Sequence, residues 1–109
     1  MMRLGAICVT AAVALTACGP DADDILFEGE FFRTKLKTER GSRQSFVVTA
    51  KPVQASLLGA REAARYEATV YCVNRYGRSD IIWAVGPDSP DEELQIDQDT
   101  LILTGQCRE

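Results

Sequence analysis

Alternating apolar and polar residues indicate that the first half of the folded chain is built from β-strands. Between Ile25 and Thr38, one side carries Phe32, Thr34, Leu36 and Thr38, and the other carries Phe31, Arg33, Lys35 and Lys37. The segment Glu39 to Arg43, with Gly41-Ser42 at its centre, is typical of a hairpin turn. A second strand is therefore predicted over residues 44–51, and its inner face carries Phe46, Val48 and Ala50.

The pattern then changes to that of a helix, predicted from Ser56 to Arg75. The segment is rich in Ala, Leu, Arg and Glu, Ser56 can serve as the N-cap, and Gly77 can end the helix. Three- and four-residue steps produce a stripe of mainly small side chains, namely Leu57, Ala60, Ala64, Ala68, Tyr71 and Cys72. Such a stripe allows close packing on a sheet. The charged residues outside the stripe, Arg61, Glu62, Arg65 and Glu67, are predicted to form a solvated face.

Three further strands are predicted after the helix, over residues 80–85, 93–96 and 100–107. A turn-rich stretch, residues 86–91, separates the first two, and Asp97-Gln98-Asp99 forms the turn before the last. Two-residue periodicity places Leu101, Leu103 and Cys107 on one face of the last strand. The predicted fold class is α+β, a small antiparallel sheet with one helix packed across it, in the order ββαβββ.

The start of the chain has the three parts of an export signal: a basic residue at Arg3, an apolar stretch from Leu4 to Leu15, and small residues before Cys18. The apolar stretch is shorter than the roughly 20 residues of a membrane-spanning helix, which disfavours that alternative. The motif Leu15-Thr16-Ala17-Cys18 resembles the lipobox of bacterial lipoproteins. This resemblance implies removal of residues 1–17 and acylation of Cys18. A secretory signal with an incidental Cys18 is the remaining alternative.

The same resemblance implies that a lipid anchor holds the protein in the cell envelope. Residues 18–24 would form a lipidated tether and residues 25–109 a single α+β domain. Lipoproteins of this kind carry three acyl groups, and each buried methylene contributes about 0.8 kcal/mol, so the anchor would be permanent. Gly19, rather than an aspartate, follows the lipidated cysteine and favours the periplasmic face of the outer membrane.

Four cysteines are present, of which Cys8 leaves with the predicted signal and Cys18 takes the lipid. Cys72 and Cys107 remain, and two thiols in an oxidising compartment are expected to form a disulfide. This bridge would join the inward stripe of the helix to the inner face of the last strand, and it could stabilise the fold by about 4 kcal/mol. A redox or metal site is the weaker alternative, because there is no Cys-x-x-Cys motif and no histidine.

Composition disfavours several classes of function. The net charge is −4, or −5 once the signal is removed, which disfavours nucleic acid as a partner. The absence of histidine excludes histidine-activated nucleophiles and imidazole ligands. Carboxylate pairs at Glu28/Glu30 and Asp97/Asp99, and the acidic run 88–93, are alternatives for acid–base chemistry or Ca²⁺ binding. They lie where acidic residues are common anyway, so no catalytic residue, metal ligand or cofactor is predicted.

Aromatic residues offer a further candidate site. Tyr66, Tyr71 and Trp83 are interpreted as core-edge residues with a polar tip, and a ligand platform is the alternative. The run Gly59–Ala68, followed by Tyr71-Cys72 and Trp83, resembles small envelope lipoproteins of alphaproteobacteria. That resemblance implies no particular activity.

The predicted partner-binding face lies on the sheet, opposite the helix. It comprises Phe31, Arg33, Lys35, Lys37 and Lys51, with Val47 and Thr49 among them. Such a basic face could dock an anionic protein, lipid headgroups or a wall polymer. The alternative is an ordinary open sheet face whose lysines discourage strand-to-strand aggregation.

The sequence therefore predicts a lipid-anchored envelope protein that acts as a binding or scaffolding module and not as an enzyme. Its partners would be the membrane, through Cys18, and an envelope protein. An accessory subunit of an envelope assembly or transport complex is one alternative. A periplasmic enzyme, or an inhibitor of one, is an alternative of another class.

Overall fold

A computed structural model describes residues 25–109, which form an α+β fold with one helix and two antiparallel sheets. The predicted signal 1–17, the lipidation site Cys18 and the predicted tether 18–24 lie outside the described residues. The elements are β1 (Leu26–Phe27), β2 (Glu30–Phe31), β3 (Arg33–Glu39), β4 (Ser42–Lys51), α1 (Leu57–Tyr76), β5 (Ile81–Val85), β6 (Gln95–Asp97) and β7 (Thr100–Cys107). Short 3₁₀ turns cover Val53–Ala55 and Asp91–Glu93.

The larger sheet is centred on β4 and β7, which pair antiparallel over six residues, from Ser45 opposite Gln106 to Ala50 opposite Leu101. Strand β3 pairs with the other side of β4 and forms one edge. Both β5 and β6 pair with the far side of β7, β5 along its second half and β6 along its first. The antiparallel sheet with a helix across it is thus confirmed.

The predicted strand order ββαβββ is wrong at the start of the chain, where the observed order is ββββαβββ. The predicted first strand is divided, because β1 and β2 pair with each other as a separate two-stranded hairpin. Glu28 and Gly29 turn the chain there, with φ of 54° and 77°. Positive φ at both turn positions matches the right-handed twist of a two-residue hairpin, and glycine adopts it without steric cost.

Helix α1 confirms the predicted bounds and caps. The Ser56 Oγ accepts a hydrogen bond from the Gly59 N–H at 2.8 Å, which satisfies one free donor of the first turn. Gly77 ends the helix in the left-handed conformation, at φ 76°, and its N–H donates to the Val73 carbonyl. The helix therefore ends one residue beyond the predicted Arg75, and it contacts β3, β4 and β7 of the larger sheet.

Small helical side chains against larger strand side chains make the core. The buried hydrophobic residues are Phe32, Phe46, Val48, Ala50, Ala60, Ala63, Ala64, Ala68, Cys72, Leu101, Leu103 and Cys107. The predicted disulfide between Cys72 and Cys107 is present, with 5.4 Å between the two Cα atoms. It joins α1 to the end of β7, from two side chains that are both fully buried.

Arg61 corrects the prediction that the charged residues of the helix are simply solvated. Its side chain is only 13% exposed, and its Nη1 donates to the carbonyl oxygens of Pro87 at 2.8 Å and Ser89 at 2.7 Å. Its Nη2 contacts the Asp91 carboxylate. Arg61 therefore holds the loop between β5 and β6 against α1, and a planar guanidinium is suited to several acceptors at once.

Candidate functional site

The predicted binding face lies on the hairpin of β3 and β4, on the side opposite α1. Pairing places Arg33 opposite Lys51, Lys35 opposite Thr49 and Lys37 opposite Val47. Side chains alternate along a strand, and the residues between these point to the helix. Among the inward residues, Val48 and Ala50 are fully buried, and Thr34 donates to the Glu67 carboxylate of α1 at 3.0 Å. We call this outer side of β3, β4 and β7 the open sheet face.

Every lysine of the chain lies on the open sheet face, because Lys35, Lys37 and Lys51 are its only lysines. All three are exposed, as is Arg33. The salt bridges among residues 25–109 involve other cations, namely Arg61, Arg65, Arg78 and Arg108. Arg33 and Lys51 also stand directly opposite each other, an arrangement of like charges that destabilises a strand pair. An external anion would relieve this repulsion.

The centre of the open sheet face is β-branched and partly apolar. Across four strands, one row runs from Lys35 through Thr49 and Ile102 to Gln95. The neighbouring row places Val47 opposite Thr104. The side chains of Val47, Thr49, Ile102 and Thr104 are half-buried. The face thus combines a cationic edge on β3 with an apolar centre.

Phe31 belongs to β2 rather than to the strand that carries Arg33, which corrects the predicted single strand. It still adjoins the basic residues, because Phe31, Arg33, Lys51 and Pro52 line an open cleft of about 350 Å³. Phe31 is 57% exposed, and its cross-strand partner Leu26 is 50% exposed. Leu26 was not predicted as part of this surface. The available signal was Gly29 between two apolar pairs, because glycine favours the positive φ of a tight turn.

Members of the two carboxylate pairs, Glu28/Glu30 and Asp97/Asp99, either support local structure or are exposed to solvent. The Asp99 Oδ1 accepts from the Gln54 N–H at 2.8 Å, and the Asp99 carbonyl accepts from the Val53 N–H at 2.9 Å, so Asp99 fixes the segment before α1. Its predicted partner Asp97 is exposed in β6. Glu28 occupies the tight turn between β1 and β2.

The acidic run 88–93 is paired with α1 rather than left as a free set of oxygen ligands. The Asp88 carboxylate accepts from the Arg65 Nη2 at 2.8 Å, and Asp91 contacts Arg61. Within residues 25–109, no group of three or more cysteine or acidic side chains could hold a metal ion.

Tyr71 and Trp83 lie at the edge of the core, as predicted, whereas Tyr66 is an exposed residue of α1. Trp83 packs edge-to-face against Phe46, with ring centroids 5.6 Å apart, and the Tyr71 hydroxyl donates to the Arg43 carbonyl at 2.7 Å. Tyr66 is the most exposed of the three, at 41%, and its ring lies 5.8 Å from that of Phe27 in β1.

Comparison with known protein families, with curated proteins and with solved structures finds no match to this chain. In the part of the chain that the structure describes, no helix is both long enough and apolar enough to cross a membrane. The geometry of the open sheet face is therefore the main guide to function.

Proposed function

We propose that the protein is an envelope lipoprotein whose α+β domain is a binding or scaffolding module. A lipid on Cys18 would hold it at the periplasmic face of the outer membrane, and the open sheet face would dock an anionic partner. The observation that carries this proposal is the placement of all three lysines, with Arg33, on one uncovered sheet face of an acidic chain.

Charge segregation supports docking, because the sign of the open sheet face is opposite to that of the whole molecule. The chain has a net charge of −4, so an anionic partner is repelled by most of its surface. Clustered cations on one face reverse the local potential and orient such a partner during approach. The lysines would therefore govern the association rate and the salt dependence of binding.

The apolar centre supports a stable contact once the partner has been oriented. Val47 and Ile102 lie between the lysine-bearing edge and the far side of the sheet. Apolar area covered there contributes about 25 cal/mol per Å², which surface lysines alone do not supply. A polar margin beside a more apolar centre is common in docking surfaces.

The test places a photo-crosslinking amino acid at Lys35, on the open sheet face, in the full chain inside living cells. Arg75 is the matched control position, because it is an exposed cation on α1, on the other side of the sheet. Light-dependent adducts are expected from position 35 and not from position 75. The adducts should decline when Lys37→Glu is added, because the open sheet face then loses a cation that attracts an anionic partner.

Anchoring is tested in the same cells by labelling with a tagged fatty acid. Label is expected on the full chain and should be lost in the Cys18→Ser variant. Equal adducts from positions 35 and 75 would contradict docking through the open sheet face, whereas an unlabelled chain would contradict the lipid anchor. The two parts of the proposal can therefore fail separately.

A further inference from the structure

The hairpin of β1 and β2 presents two exposed apolar residues beside the cations of the open sheet face. Leu26 and Phe31 are cross-strand partners and are 50% and 57% exposed. Phe31 shares its cleft with Arg33 and Lys51. Phe27, on the other side of the hairpin, packs near Tyr66 of α1, so the hairpin turns Leu26 and Phe31 away from the helix.

We propose that this surface lies on an anionic phospholipid bilayer, with Leu26 and Phe31 at the interface and the lysines over the headgroups. The inference deepens the proposed function and rests on its lipid anchor at Cys18. Aromatic and aliphatic side chains next to cations are typical of segments that lie in the membrane interface. The partner class is thus the membrane surface to which the protein is attached.

Distance along the chain favours the bilayer as the occupant. Leu26 follows Cys18 by eight residues, and an extended chain spans at most about 3.6 Å per residue. An acylated Cys18 would therefore keep the hairpin within about 30 Å of the headgroups. At this distance the bilayer is present at a high effective concentration, so weak surface contacts suffice.

Charge complementarity favours the same occupant. Each Lys or Arg close to an anionic membrane strengthens surface binding by about fivefold, and the effect declines within a Debye length. Four such cations, Arg33, Lys35, Lys37 and Lys51, lie on the open sheet face. Phospholipid headgroups form a diffuse layer of charge, and flexible lysines can bind it without a fixed geometry.

This orientation leaves α1 facing away from the bilayer, because the helix lies on the other side of the sheet. Its outer surface carries four exposed apolar or aromatic residues, Leu58, Tyr66, Val70 and Val73. They supply a matched control region, since the bilayer should not reach them.

Lysine acylation tests the orientation directly, because all three lysines of the chain lie on the proposed contact. The full chain, purified from membranes in detergent, is added to preformed vesicles of phosphatidylcholine, or of equimolar phosphatidylcholine and phosphatidylglycerol. A membrane-impermeant amine reagent is then applied, and mass spectrometry quantifies the acylation of Lys35, Lys37 and Lys51. We expect acylation at least about fivefold slower on the anionic vesicles than on the neutral ones, and high salt should remove the difference.

Two variants test whether the protection of the lysines depends on the hairpin of β1 and β2 or on any exposed apolar residue. Phe31→Ser should reduce the protection on anionic vesicles severalfold, because it removes the apolar contact beside Arg33. Val73→Ser, which changes an exposed residue of α1, should leave the protection unchanged.

Flotation with the neutral vesicles reports the anchor independently of the open sheet face. If the chain floats with the vesicles but its lysines react equally fast with the amine reagent on both kinds of vesicle, the membrane orientation is overturned. The proposed function would remain intact. Lysines that are protected from the amine reagent in intact cells but not on anionic vesicles would also overturn the membrane orientation, because a protein or wall polymer would then occupy the open sheet face. A chain that fails to float would overturn the anchor and the inference together.

Discussion

Gly59 lies where α1 closely approaches the N-terminal hairpin, and Gly59→Ala tests this contact. A Cβ at this position would lie 2.8 Å from the carbonyl oxygen of Phe27 and 2.7 Å from the ring of Phe32. Contacts of this length require something to move. The Phe32 ring is held in the core and the Phe27 oxygen belongs to the backbone of β1, so neither yields cheaply.

Two effects of Gly59→Ala oppose each other. Alanine favours a helix over glycine by at most about 1 kcal/mol. Overpacking of a well-packed site costs about 1–3 kcal/mol. We expect the clash to prevail, with the free energy of unfolding reduced by about 1 kcal/mol. For a domain of this size the melting temperature should fall by about 4–8 °C.

The assay combines chemical denaturation with hydrogen exchange, which locates the effect. Exchange is expected to accelerate in β1 and β2, since these strands must move away from α1, and to remain slow in β7. Asn74→Ala is the matched control, because Asn74 is an exposed residue of the same helix and alanine should stabilise it by a few tenths of a kcal/mol. A stabilised Gly59→Ala variant with unchanged exchange in β1 would refute the reasoning.

Three further predictions test the core and its attachments. Replacing Cys72 and Cys107 together by alanine should reduce the free energy of unfolding by up to about 4 kcal/mol in denaturant titrations, because the bridge closes a loop with a sequence separation of 35. Arg61→Ala should cost about 2 kcal/mol by thermal unfolding, because two carbonyl oxygens lose a charged donor, and Arg61→Lys should recover only part. Gly105→Val should displace Trp83, whose ring carbon would lie 2.9 Å from the new Cβ. A red shift in the emission of this single tryptophan would show it, and an unchanged spectrum would contradict it.

The elements that could be predicted from sequence are those with local signals. Helix α1 has a capping serine, a terminating glycine and a continuous stripe of small residues, and its observed bounds agree with the prediction. In strand β7, the three residues predicted to share the inner face, Leu101, Leu103 and Cys107, are all buried. The disulfide was predicted because Cys72 and Cys107 are the two cysteines that remain once the resemblance to lipoproteins assigns Cys8 to the signal and Cys18 to the lipid. This pairing is confirmed.

The division of the first predicted strand could not be recognised from periodicity, because β1 and β2 have only two residues each. Alternation needs about four residues to be distinguished from chance. The role of Arg61 was missed for another reason. Its acceptors lie 26 and 28 residues away in the chain, and only the folded loop brings them to the helix.

The candidate site was predicted more completely than its surroundings. Alternation along β3 and β4 placed Arg33, Lys35, Lys37 and Lys51 on one face, and the strand register agrees. The exposed Leu26 was missed, since its position opposite Phe31 depends on the short hairpin. Whether the face binds a partner remains a prediction, and the chemistry of Cys18 lies outside the described residues.

Arg61 and the three lysines are used differently, and this difference links the fold to the proposed function. On the side of α1, the planar fork of Arg61 binds carbonyl and carboxylate groups of the same chain. On the open sheet face, all three lysines extend from the sheet with no salt bridge to any described residue. Rigid, multiply bonded arginine suits internal cohesion, whereas flexible lysine retains its charge for an external partner. The side of the sheet without a helix is therefore the side on which binding should be sought first.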